Sequence, residues 1–180
     1  RCADCVVTEA GFGADLGAEK FFDIKCRLAG LTPNAVVLVA TVRALKMNGG
    51  VPKDALAAEN LDALRCGAAN LKKHIENIGK FGLPAVVAVN VFPTDTEAEL
   101  RLLEEICAHL GVSCVRSEVW AKGGAGGLAL AEAVEEALQK PAHFHPIYDV
   151  KQGIVEKIET IAKEIYGADG VDFTPEAKKQ

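Results

Sequence analysis

Four short apolar runs, rich in valine and without clean alternation of apolar and polar positions, divide the chain. Runs of this kind are typical of buried strands in a parallel sheet that is covered on both faces. The stretches between them place an apolar residue at every third or fourth position, which is the period of an amphipathic helix. The predicted strands are residues 5–7, 35–41, 85–91 and 114–119.

Helical patterns follow these runs, so strand and helix alternate along the sequence. This alternation predicts an α/β fold with right-handed crossovers and a parallel sheet that has helices on both faces. Residues 141–149 contain two prolines, two histidines and two aromatic residues, and we interpret them as a connector. We therefore expect an α/β domain over residues 1–142 and a peripheral helical segment over residues 143–180. The predicted helices are residues 18–25, 56–78, 96–110, 127–138 and 153–165.

Composition and charge narrow the class of protein. Hydrophobic residues make up 49% of the chain and charged residues 25%, which is typical of a globular protein. The net charge is −5 with acids and bases interspersed, which argues against a nucleic-acid or anionic-membrane surface. No apolar run approaches the roughly 18 residues that cross a bilayer. Among six cysteines, Cys2 and Cys5 form an isolated C-x-x-C pair, so we expect reduced cytosolic thiols and no metal site.

Ligands of open α/β sheets bind beyond the carboxyl ends of the strands, so the loops there are the candidate sites. The first loop, residues 8–17, carries Gly11, Gly13 and Gly17, which permit tight turns and close approach of the backbone to a ligand. The helix after it offers free N–H groups to an anion. The spacing fits neither G-x-G-x-x-G nor G-x-x-x-x-G-K-[ST]. A glycine turn capped by Asp15 explains the pattern equally well.

Two cations follow the second predicted strand. Arg43 and Lys46 are three residues apart and precede Gly49 and Gly50, an arrangement that suits a phosphate or a carboxylate. A solvated basic turn, or a salt bridge to an adjacent domain, explains the same residues. The pattern by itself favours this second explanation.

An aromatic residue follows each of the last two predicted strands. Phe92 stands where the chain turns, beside Pro93, which stiffens it, and Trp120 is the only tryptophan of the sequence. From neighbouring strand ends, the two rings could enclose a flat ligand. The glycine run after Trp120 would make that loop mobile. The alternatives are a Phe92 folded over the core and a Trp120 in ordinary core packing.

In these segments the chain resembles formate–tetrahydrofolate ligase, also called 10-formyltetrahydrofolate synthetase. The matching blocks follow the family's order and read VVTEAGFGADLGAEKF (residues 6–21), VATVRALKM (39–47), AVNVFPTDT (88–96), WAKGG (120–124) and YGA (166–168). The resemblance implies a P-loop NTPase-like or Rossmann-like middle domain. It also implies a reaction in which ATP drives the joining of formate to tetrahydrofolate through formyl phosphate, giving 10-formyltetrahydrofolate, ADP and phosphate.

The resemblance also implies roles for individual residues. Phe92 and Trp120, with Pro93 beside them, match the aromatic pair that holds the pterin ring. Catalytic roles for Arg43 and Lys46 are our inference from their charge and position. The loop near the nucleotide and formyl-phosphate site is matched by Phe12, Gly13, Ala14, Asp15 and Leu16.

Cofactors and assembly are implied in the same way. Family enzymes use ATP and Mg²⁺, are stimulated by a monovalent cation such as K⁺ or NH₄⁺, and in the bacterial single-function type form cytoplasmic homotetramers. Members commonly carry histidine where this chain has Asn48, which puts a proton-transfer role there in doubt. The family's glycine-and-lysine phosphate loop has no counterpart in this sequence, so we expect an internal piece of the enzyme that is inactive alone. The alternative is a non-catalytic α/β binding or assembly module.

Overall fold

Three of the four predicted strands form one parallel sheet in the computed structural model, which describes residues 3–180. The strands are β1 (Val36–Ala40), β2 (Ala85–Asn90) and β3 (Ser113–Ser117). They are hydrogen-bonded in the order β1-β2-β3, and both pairings are parallel. The expected α/β fold with a parallel sheet is therefore confirmed.

Helices fill the segments before, between and after the strands. The first is a continuous helical run with wide, π-type turns, made of Ala14–Ala18, Phe21–Cys26 and α1 (Arg27–Ala29). The others are α2 (Val42–Asn48), α3 (Leu61–Lys80), α4 (Glu97–His109), α5 (Val119–Lys122), α6 (Leu128–Leu138), α7 (Ile154–Glu164) and α8 (Pro175–Lys179). Short 3₁₀ turns occur at Lys53–Ala55 and Gly123–Gly127.

Both faces of the sheet are covered by helices. Successive residues of a strand point to opposite faces, so neighbouring positions show what covers each face. Val86 of β2 packs against Ala133 and other small apolar residues of α6. The next residue of β2, Val87, points to the other face and pairs with Cys114 of β3. The thiol of Cys114 is hydrogen-bonded to Cys107, which is fully buried on α4. Helix α6 and helix α4 therefore lie on opposite faces, as the valine-rich strands require.

The strand predicted at residues 5–7 is wrong. Val6 and Val7 are exposed, and the structure assigns no strand there. A strand needs a neighbour for its backbone N–H and C=O groups, and among the described residues this segment has no ladder partner. Three apolar residues in a row are too short a pattern to specify pairing by themselves.

Side-chain caps change the boundaries of two segments. The stretch after β1, expected as a loop, is helix α2, and the Thr41 hydroxyl accepts the amide of Ala44 at 3.0 Å to cap it. Helix α3 begins five residues later than expected, because Asn60 Oδ1 accepts the amide of Ala63 at 2.9 Å. Short polar residues at these positions decide where each helix starts.

Residue contacts divide the described chain into two compact units. Pro33–Phe144 forms one unit, which contains the sheet, and the residues up to Thr32 form the other together with His145–Gln180. The boundary expected after residue 142, between the α/β domain and the peripheral helical segment, stays a prediction. Within residues 3–180, the helices are all too short or too polar to span a membrane.

Helices α2 and α3 cross in close backbone contact at two glycines. A Cβ atom added to Gly67 would lie 1.8 Å from the carbonyl oxygen of Leu45. One added to Gly49 would lie 1.9 Å from the carbonyl oxygen of Ala63. Because these neighbours are backbone atoms, they cannot rotate away, and only glycine fits.

We expect Gly67→Ala to destabilise the chain by about 3 kcal/mol or more, since α2 and α3 must separate to admit the methyl group. Gly79→Ala on the same helix is the matched control, because its added Cβ meets nothing within 4 Å. That control should raise stability by about 0.5–1 kcal/mol. Chemical denaturation measures both changes, and equal effects would contradict the crossing described above.

Candidate functional site

The carboxyl ends of the three strands lie at one edge of the sheet, and the chain continues from each into a short helix or turn. The backbone N–H of Val91 donates to the carbonyl of Ser117 at 3.0 Å, which joins the first residue after β2 to the end of β3. Phe92 follows that bond directly, and Trp120 lies three residues beyond Ser117. The prediction that the two aromatic residues come from neighbouring strand ends is confirmed.

Phe92 is held in the turn after β2 by polar contacts. Its backbone N–H donates to Asp95 Oδ2 at 2.8 Å, and the guanidinium of Arg43 lies over its ring, 5.6 Å from the centroid. Arg43 itself is exposed on the first turn of α2, so its charge remains available at the surface. The turn after β2 and the helix after β1 therefore meet at the Phe92 ring.

Asp95 is a half-buried acid of the turn that carries Phe92. Burial raises its pKa, against the lowering effects of the Phe92 N–H and of the cations Lys46 and Arg43. Its Oδ1 atom is buried and has no hydrogen-bond partner among residues 3–180. Its role in this structure is to fix the turn that carries Phe92.

Trp120 projects into solvent, with 81% of its surface exposed, so ordinary core packing does not explain it. The glycine run that follows it folds back, and the Glu118 N–H donates to the carbonyl of Gly126 at 3.0 Å. A Cβ on Gly126 would lie 2.4 Å from the carbonyl oxygen of Glu118, so this closure requires glycine. Helix α5 thus presents a large aromatic surface at the carboxyl edge of the sheet.

Lys46 lies on α2 but does not reach the surface. Its side chain is 0% exposed, and the ammonium lies 2.7 Å from the equally buried carboxylate of Glu99 on α4. The same ammonium donates to the carbonyl of Ala58 at 2.9 Å. The Lys46 ammonium is therefore bound by protein groups inside the fold, whereas the Arg43 side chain is exposed to solvent.

Glu99 joins the ion pair to two further segments. Its Oε1 accepts the backbone N–H of Asn60 and its Oε2 that of Thr96, each at 3.1 Å. Burial alone would raise the pKa of Glu99, but the hydrogen bonds from Lys46, Thr96 and Asn60 outweigh it and lower the pKa. One carboxylate thus connects α2, the residue before α3 and the residue before α4.

The expected nucleotide-side loop, residues 12–16, belongs to the other unit. Phe12 is 96% exposed and has φ +52°, a strained backbone angle for a non-glycine residue. A Cβ on Gly17 would lie 1.6 Å from the carbonyl oxygen of Gly11, so the loop crosses over its own helix there. The hydroxyl of Tyr166 donates to the carbonyl of Asp15 at 3.5 Å. The close backbone approach that these glycines permit is therefore between Gly17 and Gly11 of the same loop.

At the carboxyl edge of the sheet, the search for cations and aromatic residues in the sequence missed three residues: Asn60, Asp95 and Glu99. For Glu99 a signal does exist, because Thr96 and Glu99 have the S/T-x-x-E spacing of a capping box, and both of its hydrogen bonds are present. That signal predicts a helix start, however, and not a buried partner for Lys46. The C-x-x-C residue Cys2 lies outside the described residues, and the five described cysteines are free thiols.

One comparison decides the wider identity of the chain. A model of the family described as formate–tetrahydrofolate ligase matches residues 1–180. The chain belongs to this family. Formate–tetrahydrofolate ligases belong to folate-dependent one-carbon metabolism and act on tetrahydrofolate with ATP. In residues 3–180 of this member, His, Cys, Asp and Glu side chains form no group of three or more that could hold a metal ion.

We expect Lys46→Met to destabilise this ligase chain by about 3–5 kcal/mol, because it leaves the buried Glu99 carboxylate without its counter-charge. Lys122→Met is the matched control, since Lys122 forms a Lys–Glu pair of similar length, 2.6 Å, that is largely exposed. Its loss should cost no more than about 1 kcal/mol. Urea denaturation compares the two, and a small effect of Lys46→Met would mean that the pair is not buried in solution.

Proposed function

We propose that this chain carries the tetrahydrofolate side of 10-formyltetrahydrofolate synthesis. The observation that supports this most is the pair of aromatic residues at adjacent strand ends, one of them a tryptophan exposed to solvent. A large exposed aromatic side chain at the same sheet edge as a second ring is suited to stacking on a flat ligand. Among the substrates of this family, tetrahydrofolate has a flat group of this kind, its pterin ring. Phe92 and Trp120 are its proposed walls, with Pro93 stiffening the turn.

Arg43 is the proposed catalytic cation of this edge. Its guanidinium already lies over Phe92 and remains exposed, so it can reach an anion next to the stacked ring. Carboxylate and phosphate oxygens are the groups that a guanidinium binds best. Formate or the phosphate of formyl phosphate is the anion that we propose for it.

We propose a different contribution for Lys46 from the one that its charge suggests. Because its ammonium is buried against Glu99, it acts on the reaction by fixing the positions of α2 and of the Phe92 turn. Arg43 stands three residues earlier on the same helix, so the ion pair orients the exposed cation. Lys46 is in this proposal a positioning residue.

The reaction that we propose has two steps. A formate oxygen attacks the γ-phosphorus of ATP, releasing ADP and giving formyl phosphate. The N10 nitrogen of tetrahydrofolate then attacks the formyl carbon, and phosphate leaves with the bonding electrons and takes up the proton that N10 loses. This chemistry needs positioning of the reactants and stabilisation of negative charge. Phe92 and Trp120 would supply the first and Arg43 part of the second.

The nucleotide side is proposed on the family match. Phe12, Gly13, Ala14, Asp15 and Leu16 would lie near the nucleotide and formyl phosphate. Mg²⁺ and a monovalent cation, K⁺ or NH₄⁺, belong to the proposed reaction, but the described residues do not fit a metal site by themselves, and we assign none to either ion. The intact enzyme is proposed to be a cytoplasmic homotetramer.

A second candidate is a non-catalytic α/β binding or assembly module. Two sequence features favour it: Asn48 replaces the histidine common in the family, and residues 1–180 contain no glycine-and-lysine phosphate loop. In either case we propose that this chain alone does not form 10-formyltetrahydrofolate from formate, ATP and tetrahydrofolate. Steady-state product formation by the isolated chain would contradict that proposal.

Titration with folic acid, followed by Trp120 fluorescence, tests the aromatic walls. We expect quenching, and Phe92→Ala should weaken binding by about tenfold or more, because one stacking surface is lost. Leu138→Ala is the control, since this partly exposed apolar residue lies at the far end of α6 from the glycine loop. Unchanged affinity in Phe92→Ala would remove Phe92 from the site, and no binding at all would favour the module.

A further inference from the structure

Two carboxyl groups are buried side by side in the helical run of residues 14–29. Glu19 is 6% exposed and Asp23 is 1% exposed. They are four residues apart, which places them on the same face of a helical run. Buried carboxylates are costly unless counter-charges or hydrogen bonds compensate them, so a pair of them needs an explanation.

Asp23 has a backbone donor and a counter-charge as partners. Asp23 Oδ1 accepts the backbone N–H of Ile147 at 2.9 Å and lies 3.7 Å from the guanidinium of Arg27. The same guanidinium donates to the carbonyl of Tyr148 at 2.7 Å, so it is held in place. Asp23 Oδ2 is buried and has no donor among residues 3–180. The Arg27 guanidinium therefore pairs with Asp23, whose second carboxylate oxygen still needs a donor.

We propose that Glu19 is protonated below neutral pH and donates this proton to Asp23 Oδ2, so that the pair carries one negative charge. Asp23 is the charged member, because the Ile147 N–H and Arg27 both stabilise a carboxylate there. The proton gives Asp23 Oδ2 a hydrogen-bond donor and removes the repulsion between the two carboxylates. This inference is independent of the proposed function.

The electrostatics of the pair agree with this assignment. Burial, then repulsion from and hydrogen bonding with Asp23, raise the pKa of Glu19 to about 7, while Lys20 opposes the shift. Burial also raises the pKa of Asp23, against the Ile147 N–H, Glu19 and Arg27. The two groups titrate as a coupled pair, in which Asp23 ionises first and Glu19 loses the remaining proton near neutral pH.

Besides Lys20 and Arg27, two tyrosines have charge interactions with the pair. Burial, followed by the charges of Asp23 and Glu19, raises the pKa of Tyr148. Burial, followed by the charges of Asp15 and Glu19, raises the pKa of Tyr166. Both phenols therefore stay neutral at the pH of interest and cannot compensate a second carboxylate.

The pH dependence has a definite sign. The pKa of Glu19 in the folded chain lies above its ordinary value of 4.5, so the folded state binds more protons than the unfolded state between 4.5 and about 7. Stability of this unit must then fall as pH rises through that window. The hydrogen bonds that join the helical run to Ile147 and Tyr148 are the ones that we expect to weaken. The pair thus makes this junction sensitive to pH near neutrality.

Hydrogen exchange at the Ile147 amide tests the proposal, because that N–H donates directly to Asp23. After correction for intrinsic exchange, its protection should fall by up to about tenfold per pH unit between pH 5 and 7. Glu19→Gln should keep high protection across this range, since the amide N–H replaces the proton and does not titrate. Glu176→Gln, at an exposed acid of α8, should behave like the unchanged chain.

Two results would overturn the proposal. One is protection of the Ile147 amide that does not change with pH in the unchanged chain. The other is loss of that protection at pH 5 in Glu19→Gln. Because the variant could fail to fold, a carbon-13 titration of the Glu19 carboxyl in the unchanged chain gives an independent answer. A midpoint near 7 supports the shared proton, and a midpoint near 4.5 refutes it.

Discussion

The buried ion pair between Lys46 and Glu99 is the interaction on which the carboxyl edge of the sheet depends. Each partner would be unstable alone in the interior, and each is placed by a different helix. Through the N–H groups of Asn60 and Thr96, the pair also fixes the starts of α3 and α4. The Phe92 turn leads directly into α4, so its position follows from the same contacts. A charge inside the fold thereby determines the geometry of groups at its surface.

Most of the fold follows from patterns that act locally. Valine-rich runs without alternation predicted three strands correctly, because a parallel sheet buries both faces of each strand. The run at residues 5–7 has the same composition but no pairing partner among the described residues, and composition cannot reveal pairing. Helix α2 looked like a loop because its seven residues are too few to show a helical period. Its cap, Thr41, is visible only once the strand end is known.

The site was predictable in part, for a topological reason. Neighbouring parallel strands end at one edge, so Phe92 and Trp120 had to come near the same edge once β2 and β3 were recognised as neighbours. Burial was not predictable in this way. Arg43 and Lys46 are three residues apart with similar charges, yet one is exposed and the other fully buried. That difference depends on Glu99, which is far from Lys46 in the sequence. A local sequence pattern around Lys46 therefore cannot predict its burial.

From membership of the ligase family and from the aromatic edge, we propose that the pterin ring stacks between Phe92 and Trp120. A crystal structure of the chain soaked with folic acid measures this most directly. We expect a pterin ring in contact with both aromatic side chains and with Arg43 at its rim. A ring bound elsewhere on the chain, with Trp120 still free in solvent, would contradict it.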